Sequence, residues 1–332
     1  MKKFYSRTAV FVLMLLSLAF FGGCKNQTDP TIEPDFTYSA LVVTLDVGNG
    51  NSTLIKLPDV TILIDCGSSG DTGNKTVEKL KAYGVSDIDY LILSHMDENH
   101  IGAVEKILQS FTVKTAFVPD LPQIVLNEYP LYEAHYNALI GVIGEQNIKK
   151  NIIYNTIEIP NGVFMFLSPL DRANQDSSMS KLVSTSTPTE ELIDDVSPVI
   201  YFSYKGVRFV FSSDAGQSQE QLVLTNDKIG LYDKFFQESD LVNLREVDFY
   251  NLSSHGDDKG NTKDFIDHLS AKNLLISVSS ENQGCPKTKV LENALSARND
   301  CKFYSTMLVG DICTYILETG EYLVKTQKDM QK

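Results

Sequence analysis

Residues 94–100 read Ser-His-Met-Asp-Glu-Asn-His, placing two imidazoles, two carboxylates and an amide within seven positions. The apolar run Tyr90-Leu91-Ile92-Leu93 comes before them, and Ile101-Gly102-Ala103-Val104 follows. Imidazole and carboxylate in this mixture suit a borderline or hard divalent cation. His95, Asp97 and His100 are the candidate ligands, with Asn99 a weaker one, a neutral amide where a carboxylate would bind more strongly. Other apolar runs end in residues of the same kind: Asp65 after "TILI", Asp214 after "VRFVFSS", and His255 after "NLSS". A one-metal hydrolytic site needs three or more ligands with a position left open, and a two-metal site also needs a bridging carboxylate. Two histidines lie outside this group. His135 and His268 sit on expected helices, where a structural or solvated role suffices.

The elements that would position these residues alternate in type. "ALVVTLDV", "STLIKL" and "VTILIDCG" have the β-branched content and turn punctuation of short strands. Helical spacing covers 74–85 and ends at Gly84, and further helices are expected over 101–111, 130–143, 262–269 and 286–296. "GVFMFLSP", the pair joined by Lys205-Gly206, "VDFYNLSS", 274–278, 302–307, 312–318 and 321–326 read as strands. The stretch from Asp171 to Ser197 is rich in Ser, Thr and Asp and is expected to be a long surface loop or flap. No linker divides residues 40–328, which therefore read as one α+β domain of two sheets with outer helices.

The chain of 332 residues opens on a different pattern. Lys2, Lys3 and Arg7 precede an apolar stretch from Ala9 to Phe21, and Gly22-Gly23-Cys24 closes it. That stretch falls short of the roughly 20 residues of a membrane span and has the layout of an export signal. "FGGC" resembles a bacterial lipobox, which implies a signal peptide over 1–23, an acylated Cys24 held in a lipid bilayer, and a tether over 24–39. Export to the cell envelope or surface would let disulfides persist among Cys66, Cys285, Cys301 and Cys313. Cys301 and Cys313 flank an expected hairpin and form a candidate pair. The formal net charge of −14 repels polyanions at long range, and no Lys/Arg run offers a strong nucleic-acid-binding surface.

Taken in order, "LDVGNGNSTLIKLPDVTILIDCG", "DIDYLILSHMDENHIG", "SPVIYFSYKGVRFVFSSDAG" and "LSSHG" resemble the metallo-β-lactamase superfamily. The branch they resemble is that of the ComEC DNA-uptake proteins. The resemblance implies a four-layer αββα sandwich and metal-dependent hydrolysis, often of phosphodiesters. It also implies metal ligands at His95, Asp97, His100, Asp214 and His255, with Asp214 bridging and Asp65 orienting ligands from behind. Zinc or manganese would be the cofactor, as one ion or two. The departures are Asn99 in place of an aspartate ligand, Asn49 and Asn51 in the first motif, Ser254 and Asp257 around His255, Cys285 for a histidine, and Ser168 where a further histidine is expected. They leave two readings open: a surface-anchored phosphodiesterase or nuclease with a partly degenerate site, or a non-catalytic binding or scaffolding lipoprotein on the same fold.

Overall fold

The computed structural model describes residues 36–121, 129–185, 189–235, 242–282 and 284–330. The export segment, Cys24 and most of the expected tether lie outside these residues. The first half of the chain lays down β1 (Ala40–Thr44), β2 (Thr53–Lys56), β3 (Thr61–Ile64), β4 (Asp87–Ile92), β5 (Thr112–Val118) and β6 (Ile148–Lys150). It continues with β7 (Thr156–Ile157), β8 (Gly162–Phe166), β9 (Ile200–Tyr204), β10 (Val207–Phe211) and β11 (Phe249–Asn251). The last strands are β12 (Asn273–Ile276), β13 (Lys302–Ser305), β14 (Ile312–Ile316) and β15 (Tyr322–Thr326). One sheet has the order β15-β14-β1-β2-β3-β4-β5-β6 and the other β13-β12-β11-β10-β9-β8-β7.

Burial follows the two-residue period of the strands. Ala40 and Val42 of β1 face the other sheet, while Leu41 and Val43 face the helical layer on their own side. The space between the sheets is aromatic: Phe164, Phe202, Phe209 and Phe249 are fully buried there, and the rings of Phe209 and Phe249 stack at 4.6 Å. Because both faces of each sheet are covered, the strands read as nearly continuous apolar runs. The helices α1 (Gly70–Ala82), α2 (Glu98–Ile101), α3 (Val104–Ser110) and α4 (Pro130–Ile143) send Leu80, Ile101, Ile107 and Leu139 into the core over the first sheet. On the far side α7 (Gln217–Lys228), α8 (Lys263–Leu269) and α9 (Thr288–Ala297) bury Val223, Phe265 and Val290. The expected αββα sandwich is therefore the observed one.

Three expectations need correction. Residues 171–197 do not form a bare loop. They carry α5 (Ser178–Ser184) and α6 (Glu190–Asp194), with Met179, Leu182 and Val196 buried in the first core cluster. Asp195 fastens this insertion by accepting hydrogen bonds from Gly216 N and Ser218 Oγ at the start of α7. The second correction concerns the thiols: Cys66, Cys285, Cys301 and Cys313 are all unpaired among the described residues. β13 and β14 belong to different sheets, joined through α10 (Thr306–Val309), so no hairpin brings Cys301 to Cys313. The third is the helix expected over 101–111, which begins earlier at Glu98 and breaks at Gly102-Ala103 into α2 and α3. A Cβ on Gly102 would lie 2.4 Å from Ser69 N, so glycine lets the two loops close on each other. β5, β6, β7 and α7 carried no sequence expectation. The chain closes on α11 (Gln327–Met330), and no helix among the described residues is long and apolar enough to cross a membrane.

Candidate metal centre

β3 runs parallel to β4 in one sheet, and β10 runs parallel to β11 in the other. Their C-terminal ends open at one edge of the sandwich, where ligand sites of parallel sheets gather. Asp65 leaves β3, Ser94 and His95 leave β4, Asp214 leaves β10 and His255 leaves β11. Asp65 and His255 hold left-handed backbone conformations, with φ of 56° and 58°. A non-glycine residue pays about 1–3 kcal/mol for such strain, which persists where the surroundings fix it and clusters at functional sites.

Asp65 is fully buried and organises the floor of the site. Its Oδ1 accepts Ser94 N at 2.9 Å, and its Oδ2 accepts Ser94 Oγ at 2.8 Å, Ser213 Oγ at 3.1 Å and His100 Nδ1 at 2.8 Å. A carboxylate only accepts, so a proton sits on His100 Nδ1, and Nε2 is the nitrogen left to face the pocket. Ser94 Oγ spends its proton on Asp65, so it accepts from His95 Nδ1 at 2.9 Å and leaves His95 Nε2 bare as well. Asp65 thus lies behind His100 and, through Ser94, behind His95.

The bare atoms converge. His95, His100 and Asp214 each offer one ligand atom within 4.8 Å of the others, and so do His95, Asp97 and Asp194. Nε2 of His95, Nε2 of His100 and Oδ1 of Asp214 are buried without a hydrogen-bond partner among the described residues. His100 Nε2 and Asp214 Oδ1 lie 3.2 Å apart but are not aligned for a hydrogen bond. Orphaned buried polar atoms cost about 1–3 kcal/mol each unless something satisfies them. Imidazole nitrogens and carboxylate oxygens in two overlapping sets that share His95 form donor sets that fit zinc or manganese.

Charge in the pocket points the same way. Burial works against a charge on His100, yet Asp214 and Asp65 outweigh it and raise its value well above the ordinary range while no cation is bound, so an ion would take the place of the Nε2 proton. Burial also resists a charge on Asp214, but His100, then His255 and His95, draw that carboxyl far below the usual value. Contact with the His95 imidazole, 3.8 Å away, pulls Asp97 down. Burial, followed by the Asp214 carboxylate, pushes Asp194 up to about 7. A divalent cation would relieve this crowding of acids.

Asp194 was missed by the sequence reading. It closes α6 in the insertion, and Lys259 Nζ lies 3.6 Å from its carboxylate. The available signal was the acidic run "EELIDD" directly upstream of β9. Asn99 and His255, both expected as ligands, meet each other: Asn99 Nδ2 lies 3.2 Å from His255 Nε2. Burial holds His255 below its ordinary value. Asn51 is buried beside the site, and its N–H donates to the Asn99 carbonyl at 3.2 Å. Asn49 accepts from Asn282, Ser254 is buried, and Ser168 Oγ accepts from Val199 N at 3.0 Å. Cys285 donates to Asp257 at 3.5 Å. His135 is buried on α4, with neither ring nitrogen partnered among the described residues. His268 pairs with Asp227 at 2.8 Å.

Residues 45–256 match the model of the metallo-beta-lactamase superfamily, and the chain belongs to that superfamily. Most of its members are metal-dependent hydrolases. Over 279 residues the chain is 22% identical to ComE operon protein 3 of Bacillus subtilis, a match covering 79% of this chain and 31% of that protein. The chain thus spans under a third of that relative's length. Among solved structures it is similar to the metallo-beta-lactamase fold protein YhfI of Bacillus subtilis, at 14% identity and a TM-score of 0.44, covering 86% of this chain and 100% of that one. It is also similar to Igni18, a metallo hydrolase of Ignicoccus hospitalis, at 12% identity and a TM-score of 0.44, covering 86% of this chain and 98% of that one.

Proposed function

We propose that the protein is a metal-dependent phosphodiesterase of the bacterial cell envelope, anchored through an acylated Cys24. The observation that carries the hydrolytic reading is the convergence of three unpartnered buried atoms, Nε2 of His95, Nε2 of His100 and Oδ1 of Asp214. These residues, with Asp97 and Asp194 at the mouth, would hold the ion. A divalent ion bound there supplies Lewis acidity toward a phosphoryl oxygen and acidifies a water. The protein supplies the rest. Asp65 and Ser94 keep protons on the Nδ1 atoms, so each imidazole turns its Nε2 to the pocket, the nitrogen an ion would take. Asp97, with its side chain 45% exposed, stands where an incoming water or leaving group would exchange a proton. Lys259, also part-exposed, places a cation beside the mouth to meet a phosphodiester.

The net charge of −14 favours a short or single-stranded phosphodiester over a long duplex. Similarity to ComE operon protein 3 and the export signal support the envelope location. The non-catalytic alternative draws its support from the Asn99–His255 hydrogen bond, which occupies two expected ligands. Turnover separates the two readings. Purified protein should bind zinc or manganese at micromolar concentration, lose it in His95→Ala, and hydrolyse bis-p-nitrophenyl phosphate in a chelator-sensitive way. Metal binding without turnover would leave the binding protein, and no metal at all would overturn the hydrolase. Mass spectrometry of the membrane fraction should find acyl chains on Cys24; an unmodified cysteine there would refute the anchor.

A further inference from the structure

We infer that the protein takes a single divalent ion, because the Asn99 amide engages the one free nitrogen of His255 and so closes a second position. This rests on the metal-centre reading above. His255 Nδ1 lies 2.7 Å from the Ser277 carbonyl oxygen. A carbonyl only accepts, so the His255 proton is on Nδ1 and Nε2 carries the lone pair. That lone pair is the atom a cation would need, and it meets Asn99 Nδ2 at 3.2 Å. The lone pair requires a donor, which fixes the amide with its nitrogen toward His255 and its oxygen away.

A carboxylate at position 99 would behave in the opposite way. Its oxygens and the Nε2 lone pair would be two acceptors facing each other, and both would be free for a cation. Asparagine therefore turns a ligand pair into a closed donor–acceptor pair. The backbone holds it in place. The Asn99 carbonyl accepts from Asn51 N at 3.2 Å, and a Cβ on Gly50 would come within 2.2 Å of that oxygen, so the neighbouring loop packs directly on it. The contrast with the first position is direct. His95 Nε2, His100 Nε2 and Asp214 Oδ1 are orphaned, whereas His255 Nε2 is satisfied within the protein.

The test is metal stoichiometry on the full chain, stripped with chelator and titrated with zinc, read by elemental analysis after desalting. Wild type should hold one ion. His255→Ala should still hold one, with affinity within about threefold, because an interaction outside the ligand set costs well under the 10- to 100-fold typical of a supporting residue. Asn99→Asp should hold two. As a readout independent of activity, histidine ring NMR should show the first equivalent of zinc shifting His95 and His100 while His255 keeps its Nδ1–H tautomer. Two ions in wild type, loss of the ion in His255→Ala, or one ion in a folded Asn99→Asp would each overturn the inference. No ion in wild type would overturn it together with the metal-hydrolase reading, so the two failures are told apart.

Discussion

Asp65→Asn tests the buried floor of the site most directly. The Oδ2 atom accepts three hydrogen bonds, from Ser94 Oγ, Ser213 Oγ and His100 Nδ1, at 2.8, 3.1 and 2.8 Å. An amide nitrogen in that place donates toward three donors; turned the other way, it faces Ser94 N. Hydrogen bonds to a charged acceptor are worth about 1.5–3 kcal/mol each. The gross loss is partly offset because a carboxylate no longer has to be desolvated, a saving of several kcal/mol. The net cost to folding should be about 2–4 kcal/mol. The effect on the site is more specific. Without an acceptor at Nδ1, His100 favours the tautomer with its proton on Nε2, the atom meant for the ion. Loss of such a supporting partner typically weakens metal binding 10- to 100-fold, or about 1.4–2.8 kcal/mol. Competition with a chromophoric zinc chelator measures the affinity, and proton–nitrogen correlation spectra read the tautomer. Ser213→Ala, which removes one weaker bond, should stay within about threefold of wild type. Ser94→Ala, which frees the His95 Nδ1, provides a second test if Asp65→Asn does not fold. A folded Asp65→Asn protein with unchanged affinity and a protonated His100 Nδ1 would refute the reasoning.

Other perturbations follow from the same structure. Gly50→Ala places a Cβ 2.2 Å from the Asn99 carbonyl oxygen, so it should cost about 1–3 kcal/mol in denaturant melts and loosen metal binding; a silent substitution would show that the two loops are not in contact. Glu220 is fully buried and accepts Asn261 N at 2.5 Å and Thr262 N at 2.9 Å, and burial pushes its carboxyl up to about 7. A folded-state value above the unfolded one means that its contribution is complete below about pH 4.5 and fades as pH rises through about 7, a loss of roughly 3 kcal/mol at most. Glu220→Gln should flatten that slope in urea melts run from pH 5 to 8, and an unchanged slope would place the titration elsewhere.

The sequence by itself determined one α+β domain of two sheets with outer helices, because apolar runs of strand length alternate with 3.6-period segments, and its motifs' resemblance to the metallo-β-lactamase superfamily implied the αββα order of the layers. It also determined where the chemistry ends up, since Asp65, His95, Asp97, His100, Asp214 and His255 each follow a strand, and parallel strands deliver their C-terminal residues to one edge. Tertiary structure decided the rest, because hydrogen-bond partnership depends on direction and not on residue type. Asn99 and His255 carry ligand-capable atoms, yet the Ser277 carbonyl fixes the His255 tautomer from a strand end that no local pattern connects to it. Asp194 sits in an insertion that reads as a polar loop, and only the buried Met179 and Leu182 of α5 and the clamp from Asp195 to α7 bring it to the mouth. Cys301 and Cys313 look paired along the chain, but they belong to different layers of the sandwich. Sequence separation measures distance along the strand path, whereas a disulfide or a metal site depends on which faces the sheets turn toward each other.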